Sequence, residues 1–355
     1  MTTNKKQPLN HICLIRLSAL GDCCHALAVI ENIQRSSPKT KITWVIGKTE
    51  HQLFKDIKGV EFIVADKKKP FESFFKIKKE LRGRCFDVLL NIHASMSANL
   101  ISLAIKAKKK VGFDRDRARD LQNLFCNEYI QPIKNQHVVD GMLEFTKYLN
   151  LDSAAKWTPL ILEPEEGFAR GYIHSNKVTC LISPCSSQRY GDQYNRSWSI
   201  NNFAELIKYL INLENLQVIM TGGNSPPEQL YSKELDDLFG NSILNLIGKT
   251  SIREMAALIK YSDFIISPDS GPAHIATIMG KPVIGLYAMS NPKRSGPYNS
   301  DEWLINKYDQ ALKVFMDKSP TEVKFGQKIK QPEAMDLIET RDVIEKVERL
   351  IKHES

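Results

Sequence analysis

Short apolar runs bounded by turn residues alternate along this chain with stretches in which apolar residues recur at helical spacing, and the alternation comes as two series. In the first, strand-like runs at 11–16, 41–46, 61–64, 86–91 and 110–112 are interleaved with helical patterns at 23–35, 71–82, 97–105 and 138–149. The periodicity lapses between Trp157 and Asn176, where Pro159, Pro164 and Gly167 punctuate a polar stretch. A linker or a connecting helix is expected there. The second series predicts strands at 177–183, 216–220, 242–246, 263–267 and 282–286, with helices at 200–213, 227–238, 252–261 and 272–279. Ser199 is a natural N-cap, and Ser251 with Glu254 makes a capping box. A last amphipathic helix, 332–352, follows a lysine-rich loop.

This pattern predicts an α/β protein of two doubly wound, Rossmann-like domains. Residues 1–163 form the first, 164–176 the linker and 177–330 the second, while 331–355 is a C-terminal helix expected to pack back toward the first domain. A length of 355 residues suits two cores. With 42% hydrophobic and 25% charged residues, disordered and collagen-like classes are excluded. No apolar run approaches the roughly 20 residues that span a bilayer. Residues 1–10 are polar and carry no secretory core, so a cytoplasmic protein is expected. Seven cysteines with no metal-ligand spacing point to reduced, mostly buried thiols and to no metal site. The net charge of +8 is unevenly placed. Lys67–Lys69, Lys76, Lys78, Lys79, Arg82 and Arg84, then Lys106, Lys108–Lys110, Arg115, Arg117 and Arg119, all fall in the first third. They either meet a polyanion or solvate helix faces.

Two motifs carry the candidate chemistry, and each follows a strand and opens a helix, where open α/β sheets bind ligands. In the run from Arg16 to Asp22, Gly21 permits a tight turn. Asp22 then falls at the first helical turn, as a plain cap or as a carboxylate able to take a proton from an attacking hydroxyl. In Asp269-Ser270-Gly271-Pro272-Ala273-His274, proline at the helix start leaves amides near Gly271 and Ala273 to face an anion. His274 can donate to a phosphate oxygen or be a satisfied core histidine. Ser186, Ser187, Arg189, Arg196 and Trp198 in one loop, and Gly222-Gly223-Asn224 in another, are expected around the same crevice. Glu228 can accept from ribose hydroxyls or complement a helix N-terminus. Dinucleotide, Walker, serine-hydrolase and zinc-protease patterns are absent: Gly248-Lys249-Thr250 lacks the leading glycine of a P-loop, with Ile243 in its place.

The Leu-x-x-Leu-Gly-Asp run at 17–22, Arg196-Ser197-Trp198, Thr221-Gly222-Gly223 and Asp-Ser-Gly-x-x-His at 269–274 together resemble the ADP-heptose:lipopolysaccharide heptosyltransferases, glycosyltransferase family 9. The stretches 112–119, 124–125 and 136–140 are similar to the heptosyltransferase I branch. The resemblance runs along nearly the whole chain. It implies the GT-B fold, with two Rossmann-like domains facing a central cleft, and an inverting transfer of heptose from ADP-heptose to the Kdo-lipid A inner core.

By that resemblance Asp22 is the base and Arg196 neutralises the leaving group. Ser186, Ser187, Arg196, Gly222, Glu228, Asp269, Ser270, Gly271 and His274 bind the nucleotide sugar. Ser18, Gly21, Lys108, Lys109, Arg115, Arg117, Arg119 and His137 form the acceptor side. It implies no required cofactor or metal and a monomer with no nucleic-acid partner, peripheral at the inner face of the inner membrane. Cys23-Cys24-His25, and Arg189, Tyr190 and Tyr194 in the 186–197 loop, depart from the family's pattern. Another nucleotide sugar, a protein acceptor, or noncatalytic polyanion binding are the alternatives.

Overall fold

A computed structural model describes residues 9–186 and 196–354. It divides into two compact units, Met1–Trp157 and Thr158–Ser355. The first begins β1 (His11–Ile15), α1 (Leu20–Ser36), β2 (Lys41–Gly47), α2 (Lys48–Phe54), β3 (Val60–Ala65) and α3 (Pro70–Glu80). It continues with β4 (Phe86–Asn91), α4 (Met96–Leu103), β5 (Ala107–Gly112), β6 (Glu128–Tyr129) and α5 (Val138–Tyr148). The second opens with α6 (Glu163–Arg170), β7 (Val178–Ile182), α7 (Ile200–Leu210), β8 (Leu216–Met220), α8 (Pro226–Phe239) and β9 (Leu244–Asn245). Then come α9 (Ile252–Tyr261), β10 (Phe264–Pro268), α10 (Gly271–Ile278), β11 (Val283–Tyr287), α11 (Pro292–Ser295), β12 (Ile305–Asn306), α12 (Tyr308–Met316) and α13 (Thr340–Glu354).

Each unit is built on a six-stranded parallel sheet, ordered β3-β2-β1-β4-β5-β6 in the first and β12-β11-β10-β7-β8-β9 in the second. Strands covered on both faces must be apolar throughout, and every residue of β10 and β11 is buried. The strand order reverses beside β1, which pairs with β2 on one side and β4 on the other. It reverses again beside β7, between β8 and β10. These reversals fix where ligands can enter such sheets.

The segment expected to be a linker contains α6. Pro164 sits in its first turn with Glu163, Glu165 and Glu166, an arrangement that suits a helix N-terminus. It packs on α9 through the buried Arg253, whose Nε and Nη2 donate to the two Glu165 oxygens at 2.7 and 3.1 Å. Only Ala169 of α6 is buried, so the sequence carries almost no helical period. The predicted 332–352 helix is instead a 3₁₀ segment, Pro332–Leu337, followed by α13. Between them the Ile338 carbonyl accepts from Trp198 Nε1 at 3.0 Å. Helix α13 docks within the second unit, on α7 and β11. Tyr209 donates to Glu348 at 2.6 Å there, and Thr340 to Glu205 at 2.8 Å. Six cysteines are buried and Cys85 is exposed. No helix among the described residues is long and apolar enough to cross a membrane.

At the amino edge of the first sheet, Arg84 donates to both oxygens of Glu61 at 2.7 and 2.5 Å, and Thr43 adds a third bond at 2.6 Å. Chiefly through Arg84, the Glu61 carboxyl is held down from 4.5 to about 2. A depressed carboxyl stabilises the folded state above its unfolded pKa and stops doing so as pH falls through the folded one. Glu61→Gln is therefore expected to lower the melting temperature modestly at pH 6, with the gap to wild type closing between pH 4.5 and about 2. Thermal melts across that range are the check.

Candidate functional site

The carboxyl end of β1 runs directly into the first motif. Gly47 at the end of β2 lets this loop pass close: its N–H donates to the Leu17 carbonyl at 3.0 Å, and a Cβ there would collide with that same oxygen. Leu17 N–H donates to His93 Nδ1 at 3.1 Å, which ties the loop to the residues after β4. Asp22 is the third residue of α1, and its Oδ2 accepts from Ala19 N–H at 3.4 Å. The same oxygen forms an ion pair with Arg16. Arg16 is itself fixed, its Nη1 donating to the Ile92 carbonyl at 2.8 Å. Oδ1 faces His25 Nδ1 at 3.9 Å. The His25 ring meets His137 edge-on, with centroids 5.9 Å apart, because α1 packs against α5. Asp22 thus serves the helix start and also presents a carboxylate whose side chain is 26% exposed.

Of the expected acceptor residues, Ser18, Gly21 and His137 lie with Asp22. Arg115, Arg117 and Arg119 follow β5 at the same edge of the sheet. Arg115 and Arg119 are exposed. Arg117 is spent on structure: it pairs with Asp114 and donates to Gln136 at 2.9 Å and to the Gln131 carbonyl at 2.7 Å. Lys108 and Lys109 do not join the group. Parallel register sets Lys109 beside Val88 and Val88 beside Ile12, near the start of β1 and at the opposite edge from Asp22. Lys108 is bound there to Asp87 at 2.8 Å.

The second motif occupies the carboxyl end of β10, next to the end of β7. Ser270 is the N-cap of α10, with Gly271 and Pro272 opening the helix. Ser270 Oγ lies 2.7 Å from Ser267 Oγ. Arg196 reaches this loop: its Nη2 donates to the Asp269 carbonyl at 3.1 Å, and its Nε stands 3.6 Å from Asp269 Oδ2. Ser290 Oγ donates to the same carboxylate oxygen at 2.8 Å. Ser186 accepts from Arg196 N–H at 3.0 Å, so the two ends of the loop are held together. His274 is 7% exposed on the first turns of α10. Arg196, Asp269, Ser186, Ser270, Gly271 and His274 are thereby grouped around adjacent strand ends. Ser187, Arg189, Tyr190 and Tyr194 lie outside the described residues.

Two expectations change. Trp198, placed by sequence in the crevice loop, is fully buried in the core, where its carbonyl accepts from Tyr231 at 2.6 Å. Glu228 spends both oxygens on its own loop, accepting from Gly223 N–H at 2.6 Å, Ser225 N–H at 3.0 Å and Ser225 Oγ at 2.5 Å. It closes a capping box on α8 and leaves Gly223 no room for a Cβ. Arg16, His93, Ser290 and Tyr287 were not singled out from sequence. Each had a visible signal, a polar residue at or just past the carboxyl end of an apolar strand. Tyr287 is 1% exposed and its hydroxyl has no partner among the described residues. Burial, and then the Asp269 charge, push its phenol well above the usual range.

The glycosyltransferase family 9 (heptosyltransferase) model matches residues 74–323. The lipopolysaccharide core heptosyltransferase OpsX of Haemophilus influenzae is 37% identical over 340 residues, covering 96% of each chain. The chain belongs to glycosyltransferase family 9. Lipopolysaccharide heptosyltransferase 1 of Salmonella typhimurium is 21% identical, over 85% of this chain and 95% of its own. Among solved structures, a family 9 glycosyl transferase from Veillonella parvula superposes with a TM-score of 0.78 at 20% identity, covering 98% of this chain and 99% of that one. The E. coli heptosyltransferase WaaC with ADP gives 0.72 at 17% identity, covering 96% and 99%. The two Rossmann-like units are those of a GT-B glycosyltransferase.

Because Glu228 is a capping carboxylate, Glu228→Ala is expected to cost about 1 kcal/mol of stability. Chemical denaturation of wild type and variant measures it.

Proposed function

We propose that this family 9 enzyme transfers heptose from ADP-heptose to the Kdo-lipid A inner core during lipopolysaccharide biosynthesis, with inversion at the anomeric carbon. The near-full-length match to a lipopolysaccharide core heptosyltransferase carries the reading. The residues at the two strand reversals support it. In the proposed step the acceptor hydroxyl gives its proton to Asp22 as its oxygen bonds to the anomeric carbon. The bond from that carbon to the diphosphate breaks, and its electron pair leaves with ADP. Oδ2 is held by Arg16, so Oδ1 takes the proton. Arg196, His274 and the amides that open α10 meet the diphosphate, where negative charge grows as the bond breaks. Ser186, Ser270 and Gly222 line the donor side. Ser18, Gly21, His137, Arg115 and Arg119 take the acceptor, which is presented to a monomeric enzyme at the inner face of the inner membrane. No cofactor enters this scheme.

Noncatalytic polyanion binding is not favoured. Lys108 is bound to Asp87 and Arg117 to Asp114, so the basic stretch 106–119 is not one open cationic surface.

A calorimetric screen with ADP-, UDP- and GDP-sugars tests the donor, and preference for a nucleotide other than ADP would overturn that assignment. Asp22→Asn is expected to keep ADP affinity while turnover falls by about two to four orders of magnitude, the range for a lost general base. Turnover close to wild type would reduce Asp22 to a helix-start residue. Arg196→Ala and His274→Ala are expected to weaken ADP binding itself, each by roughly tenfold or more, as for a lost charge-assisted hydrogen bond. Calorimetry with ADP reads both.

A further inference from the structure

Helix α3 buries Ser73 and Ile77, and Leu81 just beyond it continues that side. At about 100° per residue, the crest opposite carries Phe71, Phe75, Lys78 and Lys79, with Arg82 in the following turn. Phe71 is 69% and Phe75 66% exposed, and their i,i+4 spacing puts them on one side of the helix. Exposed aromatic pairs are unusual on a helix that already has a buried face. The acids of this helix are engaged: Glu72, which by the same rotation stands beside Lys79, pairs with Lys69 at 3.0 Å, and Glu80, nearer the buried side, pairs with Lys76 at 3.7 Å. Among the described residues, Lys78, Lys79 and Arg82 make no ion pair. The crest is therefore two exposed aromatic rings followed along the helix by three cations that make no ion pair among the described residues, on the convex outer face of a helix.

We propose that this crest is a docking surface for an anionic lipid bilayer. The rings enter the boundary between headgroups and acyl chains, while Lys78, Lys79 and Arg82 meet lipid phosphates. A planar surface with negative charge outside and an apolar interior beneath matches both halves of the pattern. A nucleic acid or an acidic protein would match the cations and leave the convex aromatic pair in water. The inference deepens the transfer reading by assigning the face that meets the membrane, and rests on it only for why the enzyme would need one.

The test is cosedimentation of the full-length protein with vesicles of phosphatidylcholine alone and of equal parts phosphatidylcholine and phosphatidylglycerol, without donor or acceptor. Binding to the anionic vesicles that weakens with salt is expected. Phe71→Ser with Phe75→Ser should lower partitioning roughly tenfold. Lys78→Glu, Lys79→Glu and Arg82→Glu together should lower it roughly a hundredfold. Lys233→Glu, which changes an exposed lysine of α8, should leave it unchanged. Absence of binding to anionic vesicles, equal binding to neutral ones, or full binding by both crest variants would overturn the proposal. Tight binding of a single-stranded oligonucleotide by this crest in place of vesicles would also overturn it. ADP calorimetry on the same variants should match wild type. Failure of ADP to bind wild type would count against the donor assignment and leave the vesicle result standing.

Discussion

Parallel pairing on both sides of a central strand is the constraint from which the rest of this molecule follows. A strand such as β1 or β7 that is flanked on both sides and covered on both faces has only its ends free for chemistry. The chain must leave each carboxyl end toward one side for the preceding crossovers and toward the other for the later ones. Loops therefore diverge beside β1 and beside β7, and polar groups gather there with one another as partners, most of them buried or nearly so. The Arg16–Asp22 pair and the Arg196–Asp269 pair sit at these two places. Fold and candidate site are in that sense one fact.

The double α/β series was legible because doubly covered parallel strands have to be continuous apolar runs, and those of β1, β7, β10 and β11 are. Among elements too short to show a period, β9 fell within the expected 242–246 strand, but others were not legible. Strands β6 and β12 have two residues each, so register with a longer neighbour is the only thing that makes them strands. Helix α12 buries Tyr308, Ala311 and Leu312 at helical spacing, but three apolar contacts in a nine-residue helix give that pattern little weight. Helix α6 is held from outside, by Arg253 and Lys260 of α9, and such ion pairs leave no mark on local periodicity.

At the site, the residues found from sequence are those whose loop position alone implies chemistry: Asp22, Asp269 and the small residues beside them. Apart from Arg16, which shares the loop of Asp22, the missed ones act from neighbouring strands. His93 holds Leu17 from the end of β4, and Ser290 holds Asp269 from beyond β11. Which strands are neighbours is a property of sheet order, and sheet order is not written in one strand. That Lys108 and Lys109 lie at the other end of the sheet from Asp22 was hidden for the same reason. A run of lysines near a motif in sequence says nothing about which end of the strand it occupies.

Both candidate charged groups are already neutralised within their own units, and this bears on how the proposed chemistry would gain rate rather than mere affinity. Two unit charges about 4 Å apart attract by about 4 kcal/mol at an intermediate effective dielectric, before desolvation is counted. A donor diphosphate approaching Arg196 therefore competes with Asp269, whose Oδ2 is already 3.6 Å away. In the ground state Asp269 offsets part of that attraction, so binding takes up only part of what Arg196 could supply. As the bond to the sugar breaks, charge grows on the diphosphate while that of Asp269 stays fixed. On the proposed assignment the balance then tips toward the leaving group, and Arg196 would contribute more to the transition state than to the bound substrate, which is the condition for a faster chemical step.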